Sequence, residues 1–165
     1  MKNNRSTCPL VNILDILGDR WSFVVIRDIF NGKKSFREFL SSPEKISTSV
    51  LTSRLQLMER AGIVQHVLSK KDKKVKHYYL TDKGIDLFPV LYEMVYWSKR
   101  NFDLSFPDLS IKWFNKYENF PSDTVVKENK DPLGRYYANY EIVPIDDNYP
   151  KYITTNKEKF SYIIK

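Results

Sequence analysis

Residues 46–62 read ISTSVLTSRLQLMERAG, and helical spacing sorts them into two chemically different faces. Leu51, Leu55 and Met58 recur on one face. Thr48, Ser49, Thr52, Ser53 and Gln56 occupy the other, with Arg54 and Arg60 on the flanks. Short hydroxyl and amide side chains let a helix approach base edges closely. Its N-terminus, capped here by Ser47, favours a phosphate through free N–H groups. The chemistry on offer is hydrogen-bonded contact with a nucleic acid; the alternative is a solvated amphipathic helix rich in Ser and Thr. A second feature follows at residues 69–74, where Lys70, Lys71, Lys73 and Lys74 crowd into six positions. Such a run suits phosphates or a minor groove, or is simply solvated.

Cys8, directly before Pro9, is a third candidate. As a sensor it needs exposure and a thiol acidified by a helix start or by nearby cations such as Arg5 or Arg20. As a structural residue it would be a small buried apolar group. No Ser/His/Asp set, phosphate loop, metal cluster or paired carboxylate stands out, so no enzyme, cofactor or metal is expected. One cysteine excludes an intramolecular disulfide and a cysteine-based metal site. His66 and His77 read as structural.

The elements that must position these residues follow from the same pattern. Pro9 suits the first turn of a helix over residues 10–17, with Leu10, Ile13, Leu14 and Leu17 as its stripe and Gly18 at its end. Asp19 caps a mostly buried helix over residues 20–30, which Asn31 and Gly32 stop. Ser35 and Glu38 form a capping box for a short helix that buries Phe36, Phe39 and Leu40. That helix, a turn and the polar-faced helix make a helix-turn-helix. β-branched runs at residues 63–68 and 75–80 then flank the lysine tip, which makes a β-ribbon and hence a winged helix. Thr81 caps a helix reaching to about residue 102, bent at Pro89. Its apolar residues, Leu91 and Val95 among them, exceed one face. That surplus predicts a dimer interface, unless the C-terminal segment covers it.

With 165 residues the chain suits one domain of about 100 residues plus an appendage. Residues 1–103 carry 18 of the 27 Lys and Arg but 11 of the 20 Asp and Glu, so the whole net charge of +7 falls there. A basic unit joined to a neutral one points to a polyanion partner for the first part. There is no membrane-length apolar run and no signal-peptide pattern, so a soluble cytoplasmic protein is expected. In residues 104–165, strands at 122–128 and 135–143 and a helix or strand at 155–164 are expected, with Trp113 and several tyrosines as core or as a small ligand pocket. The fold class is thus α+β, mainly helical. It is a winged helix-turn-helix with a long C-terminal dimerisation helix over residues 1–103, then a small extension of mixed or β structure over 104–165.

These residues resemble the HxlR-type winged-helix transcriptional regulators. The likeness runs through Cys8-Pro9-Leu10, Leu14-Asp15-Ile16-Leu17-Gly18-Asp19-Arg20-Trp21, Phe36-Arg37-Glu38-Phe39, Ile46-Ser47 and Leu51-Thr52-Ser53-Arg54-Leu55. It continues through Ala61-Gly62-Ile63-Val64, Tyr78-Tyr79-Leu80-Thr81-Asp82-Lys83-Gly84 and Leu87-Phe88-Pro89-Val90-Leu91. The resemblance implies a homodimer on a pseudo-palindromic DNA operator, joined through its first and last helices, with Leu10, Leu14, Leu91 and Val95 in the interface. It implies a DNA-reading set of Ser47, Thr48, Ser49, Thr52, Ser53 and Gln56, with Arg54 as phosphate clamp and Lys70, Lys71, Lys73 and Lys74 on the wing. It also implies redox or electrophile sensing through Cys8. Two other readings stand beside it: a winged helix that binds protein or RNA, and a regulator that senses a small molecule through residues 104–165.

Overall fold

The computed structural model describes residues 5–106 together with Ser110, Ile111, Phe114 and Asn115. The elements expected at 122–128, 135–143 and 155–164, and the pocket residue Trp113, lie outside the described residues. Eight elements follow one another in the described part: α1 (Pro9–Leu17), α2 (Ser22–Phe30), α3 (Phe36–Leu40), α4 (Thr48–Arg60), β1 (Val64–Leu68), β2 (Lys76–Leu80), α5 (Asp82–Ile85) and α6 (Phe88–Asn101).

Each boundary has a local cause. Pro9 stands at the first position of α1, where a missing N–H leaves no bond unmade. Gly18 ends α1 by donating its N–H to Leu14 O at 2.8 Å. The expected helix start moves by two residues: α2 begins at Ser22 with Trp21 at its N-cap position, and the Asp19 carboxylate, from the turn before it, accepts the Trp21 and Ser22 N–H groups at 2.8 and 3.1 Å. Gly32, at φ +86°, supplies the left-handed residue after α2. The Ser35–Glu38 capping box is closed in both directions. β1 and β2 pair antiparallel from Val64↔Leu80 to Leu68↔Lys76, and Tyr78 donates its N–H to Lys34 O at 2.7 Å, so the segment before α3 is sewn to the free edge of β2.

The core is organised round α4. Leu51, Leu55 and Met58 are buried among Val25, Ile26, Ile29 and Phe30 of α2, Phe39 of α3, and Ile63, Val64 and Leu80 of the ribbon. Burying each such side chain is worth about 1.5–3 kcal/mol. That dwarfs the few tenths by which Ser and Thr disfavour a helix interior.

One expectation is corrected here. The segment from Thr81 is two helices, not one bent helix. Pro89 cannot donate to the carbonyl four residues back and would clash with it, so α5 closes at Asp86 and Pro89 falls in the first turn of α6. α5 is held against the end of α4: Thr81 Oγ1 donates to Gly62 O at 2.7 Å and Lys83 Nζ to Ala61 O at 2.7 Å.

The surplus apolar surface on α6 is divided between two faces, one covered and one exposed. Phe114 is buried edge-on to Tyr96 and Phe106, with Lys99 Nζ 4.6 Å over its ring, so the start of the extension covers the Tyr92–Tyr96–Lys99 side. Val90, Met94 and Trp97 stay exposed on the other side. Leu10, Leu14 and Val95 are likewise exposed, whereas Leu91 is half-buried against the core.

A Cβ added at Gly84 would meet Ile63 O at 2.2 Å, a backbone atom that cannot step aside. Gly84→Ala is expected to destabilise the fold by about 1–3 kcal/mol, read as a lower urea midpoint. An unchanged midpoint would mean that α5 does not rest on the end of α4.

Candidate nucleic-acid interface

The burial of Leu51, Leu55 and Met58 leaves α4 one face for anything else. Thr48, Ser49, Thr52, Ser53 and Gln56 are all exposed on it. Ser47 stands at the N-cap with extended backbone, its Oγ accepting the Val50 N–H at 3.4 Å and lying 3.3 Å from Ser49 Oγ. Thr52 donates its hydroxyl to Thr48 O at 2.8 Å. It therefore presents acceptor lone pairs and a methyl group outward, the equipment for a base donor or a thymine methyl. Ser53 and Gln56 add neutral groups of both polarities. The one carboxylate in line with it, Glu59 one turn beyond Gln56, is only partly exposed and is engaged by His66.

Arg54 is not arranged as its place on the flank suggested. Its side chain is half-buried, and Nη1 lies 3.2 Å from Asp19 Oδ2. Asp19 thus joins the start of α2 to the middle of α4. Burial pushes its carboxyl up. Hydrogen bonds from the Ser22 hydroxyl, the Trp21 and Ser22 N–H groups and the Arg54 charge outweigh that and hold it below the ordinary carboxylate range.

The ribbon carries its lysines at an ordered tip. Ser69 donates its N–H to Val75 O at 2.8 Å, Asp72 O accepts the Val75 N–H at 2.9 Å, and Asp72 Oδ1 accepts the Lys74 N–H at 2.9 Å. Asp72 therefore shapes the turn, and Lys70, Lys71, Lys73 and Lys74 stand exposed around it. At the far end of α4, Glu59 pairs with His66 Nδ1 of β1, and the His66 ring lies 5.7 Å from that of Tyr78. This His66 contact bears out its structural reading and ties helix to ribbon.

Cys8 is exposed at the N-cap position of α1, its side chain making no cap bond. The two cations expected to acidify it are engaged elsewhere. Arg5 grips Asp15 with Nη2 at 2.7 Å and Nε at 3.1 Å, and Arg20 lies 5.1 Å over the Trp21 ring. Among the described residues no group of three or more His, Cys, Asp or Glu could hold a metal, and no helix is long and apolar enough to cross a membrane.

Two polar features escaped the sequence reading: the Asp19–Arg54 pair and an ionic cluster around Asp28. The second had a visible signal. Arg27-Asp28 sits in the otherwise apolar run SFVVIRDIF, and a charge inside a buried helix must be paired.

Comparison with known proteins agrees with this architecture. The HxlR-like helix-turn-helix family profile matches residues 16–106. The HTH-type transcriptional regulator YdeP of Bacillus subtilis (strain 168) is 33% identical over 93 residues, covering 56% of this chain and 73% of its own. Among solved structures, PA1607 is similar with a TM-score of 0.58 at 32% identity, over 65% of this chain and 76% of that one. The redox regulator HypR in its oxidised form gives 0.53 at 32% identity, over 59% of this chain and all of that one.

The lowered Asp19 carboxyl sets a direction for acid stability. The unfolded chain takes up this proton at a higher pH than the folded one, so stability is lost as pH falls from about 4 downward through the folded value. Asp19→Asn keeps a good cap but removes the charge. It should be about 1 kcal/mol less stable at neutral pH and lose less on acidification. Parallel acid limbs in urea titrations of the two proteins would exclude Asp19 as the titrating group.

Proposed function

This chain belongs to the HxlR-like helix-turn-helix family of DNA-binding transcriptional regulators, and from that premise we propose that it acts as a homodimer on a pseudo-palindromic operator. We assign reading and pairing to residues 1–103 and treat 104–165 as an added extension. The observation that carries the reading is the exposed Ser/Thr/Gln face of α4 beside a four-lysine tip. Ser47, Thr48 and Ser49 head the helix into the major groove; Thr52, Ser53 and Gln56 contact base edges. Lys70, Lys71, Lys73 and Lys74 hold phosphates, which fixes position without reading sequence. Arg54, already held by Asp19, is oriented to clamp a phosphate with its remaining N–H groups. A protein-binding wing would instead expose aliphatic and aromatic anchors at these positions.

The pairing of two copies is supported by the exposed apolar side chains of α1 and α6, Leu10, Leu14 and Val95 with Trp97 at 55% exposure. Surface of that kind is rarely left to water. Leu91 contributes only its outer edge. Cys8 stands exposed at the head of α1. The similar protein HypR is described as a redox regulator. We therefore assign to Cys8 the detection of oxidants or electrophiles, coupled to DNA through the pairing of α1.

Selection of genomic fragments by the purified chain, then footprinting, should yield two protected half-sites about one helical turn apart. Thr52→Ala with Ser53→Ala should weaken operator binding about tenfold and shuffled duplex hardly at all. Replacing the wing lysines by alanine should weaken both and flatten the salt dependence by about 0.9 in slope per lost phosphate contact. Identical behaviour of the two variant sets would contradict this division of roles, and failure to enrich any site would favour a protein partner.

Cys8→Ser should bind the operator like the native chain yet keep its footprint in diamide or a quinone, which should erase that of the native chain. Equal loss of both footprints would move the sensing away from Cys8.

A further inference from the structure

Asp28, 2% exposed in α2, lies at the centre of a cluster that the recognition surface never touches. Its Oδ1 accepts Arg27 Nη2 at 2.7 Å and Nε at 3.1 Å; its Oδ2 accepts Lys33 Nζ at 3.0 Å and the Ser42 hydroxyl. Lys33 Nζ also reaches Ser42 Oγ at 2.5 Å, and Arg27 Nη1 reaches Glu44 Oε1 at 2.6 Å. Ser42 and Glu44 both belong to the turn that delivers the chain from α3 to α4. Two residues before the Ser47 cap, Lys45 is held at φ +57°, with its N–H donated to Ser42 O at 3.0 Å. A left-handed lysine costs about 1–2 kcal/mol and persists only where its surroundings dictate it.

A buried ionic cluster is often no more stable than apolar residues of the same volume, and in some proteins what it adds is a unique geometry. Here the geometry it fixes is that of the turn, and through the turn the place where α4 begins. We propose that Asp28, acting through Ser42 and, by way of Arg27, through Glu44, is a positioning residue that aims the head of α4, and so sets sequence discrimination rather than overall DNA affinity. The inference rests on α4 being the reading helix. Its physical basis is a difference in tolerance. Base-edge hydrogen bonds from Ser and Thr fail when a helix shifts by a fraction of an ångström, whereas long, flexible wing lysines follow a phosphate over several.

The test measures binding of the full chain, at one salt concentration, to its selected operator and to a shuffled duplex of equal length and composition. Asp28→Asn, Ser42→Ala and Glu44→Gln are compared, the last at the exposed end of the cluster so that a readout survives if the first does not fold. Asp28→Asn and Ser42→Ala should weaken operator binding about tenfold, and Glu44→Gln about threefold. Shuffled-duplex binding should stay within about twofold and the salt slope should be unchanged, because no phosphate contact is lost. Preserved discrimination in Ser42→Ala and Glu44→Gln would overturn the inference. So would a parallel fall in both affinities, the mark of a merely structural role. A native chain that does not itself discriminate would remove the reading role of α4, and this inference with it, before any variant is made.

Discussion

Everything on the nucleic-acid side of this chain depends on one helix being buried along exactly one seam. Leu51, Leu55 and Met58 are inaccessible to water, and α2, α3 and the ribbon all close over them. A helix gripped so firmly has no rotational freedom, so Thr48, Ser49, Thr52, Ser53 and Gln56 face outward as a fixed set. The apolar seam supplies the energy, and the polar face is left clear of packing duties. This separation lets a segment of poor intrinsic helix propensity stand as a regular helix.

Burial along a seam fixes rotation but leaves translation and tilt less determined, because apolar contacts are not directional. Directional bonds fill that gap at three stations along α4. Ser42 and Glu44 are pinned to α2 ahead of it, Arg54 is tied to Asp19 at its middle, and Glu59 is tied to His66 near its end. Two of the ties lead to α2, one near its start and one near its end, and the third leads to β1, so α4 is referenced to both of these neighbours. The wing is built differently. Its tip is shaped by backbone bonds round Asp72, while four extended lysines remain exposed. In the proposed division of roles the firmly seated helix meets base edges, which require close distances, and the long lysine side chains meet phosphates, which require charge.

How far the sequence disclosed this depended on whether a feature was periodic or pairwise. The buried seam of α4, the Ser35–Glu38 box, the Gly18 and Gly32 ends and the two ribbon strands were all legible, because each is written within a few consecutive residues. Asp19 was legible as a cap but not as the partner of Arg54, which lies 35 residues away. Asp28 with Ser42 is the same case across 14 residues. The reading of one long bent helix from Thr81 failed because apolar spacing runs on across Leu87 and Phe88. The backbone geometry at Pro89 permits it only in a first turn. The surplus apolar surface of α6 was visible, but its division between Phe114 on one side and open stripe on the other was not, since that depends on where the chain returns.

The way α5 rests on α4 has a consequence for the whole assembly. Gly84 lets α5 lie directly on the Ile63 carbonyl, and Thr81 and Lys83 bind the carbonyls at the very end of α4. Only two residues, Asp86 and Leu87, separate α5 from α6. The tail of α4 and the root of α6 are therefore one joint, with no long linker between them. In the proposed two-fold assembly that joint is a ruler: the separation of the two α4 heads is engraved in it, and so is the span of DNA over which both can seat.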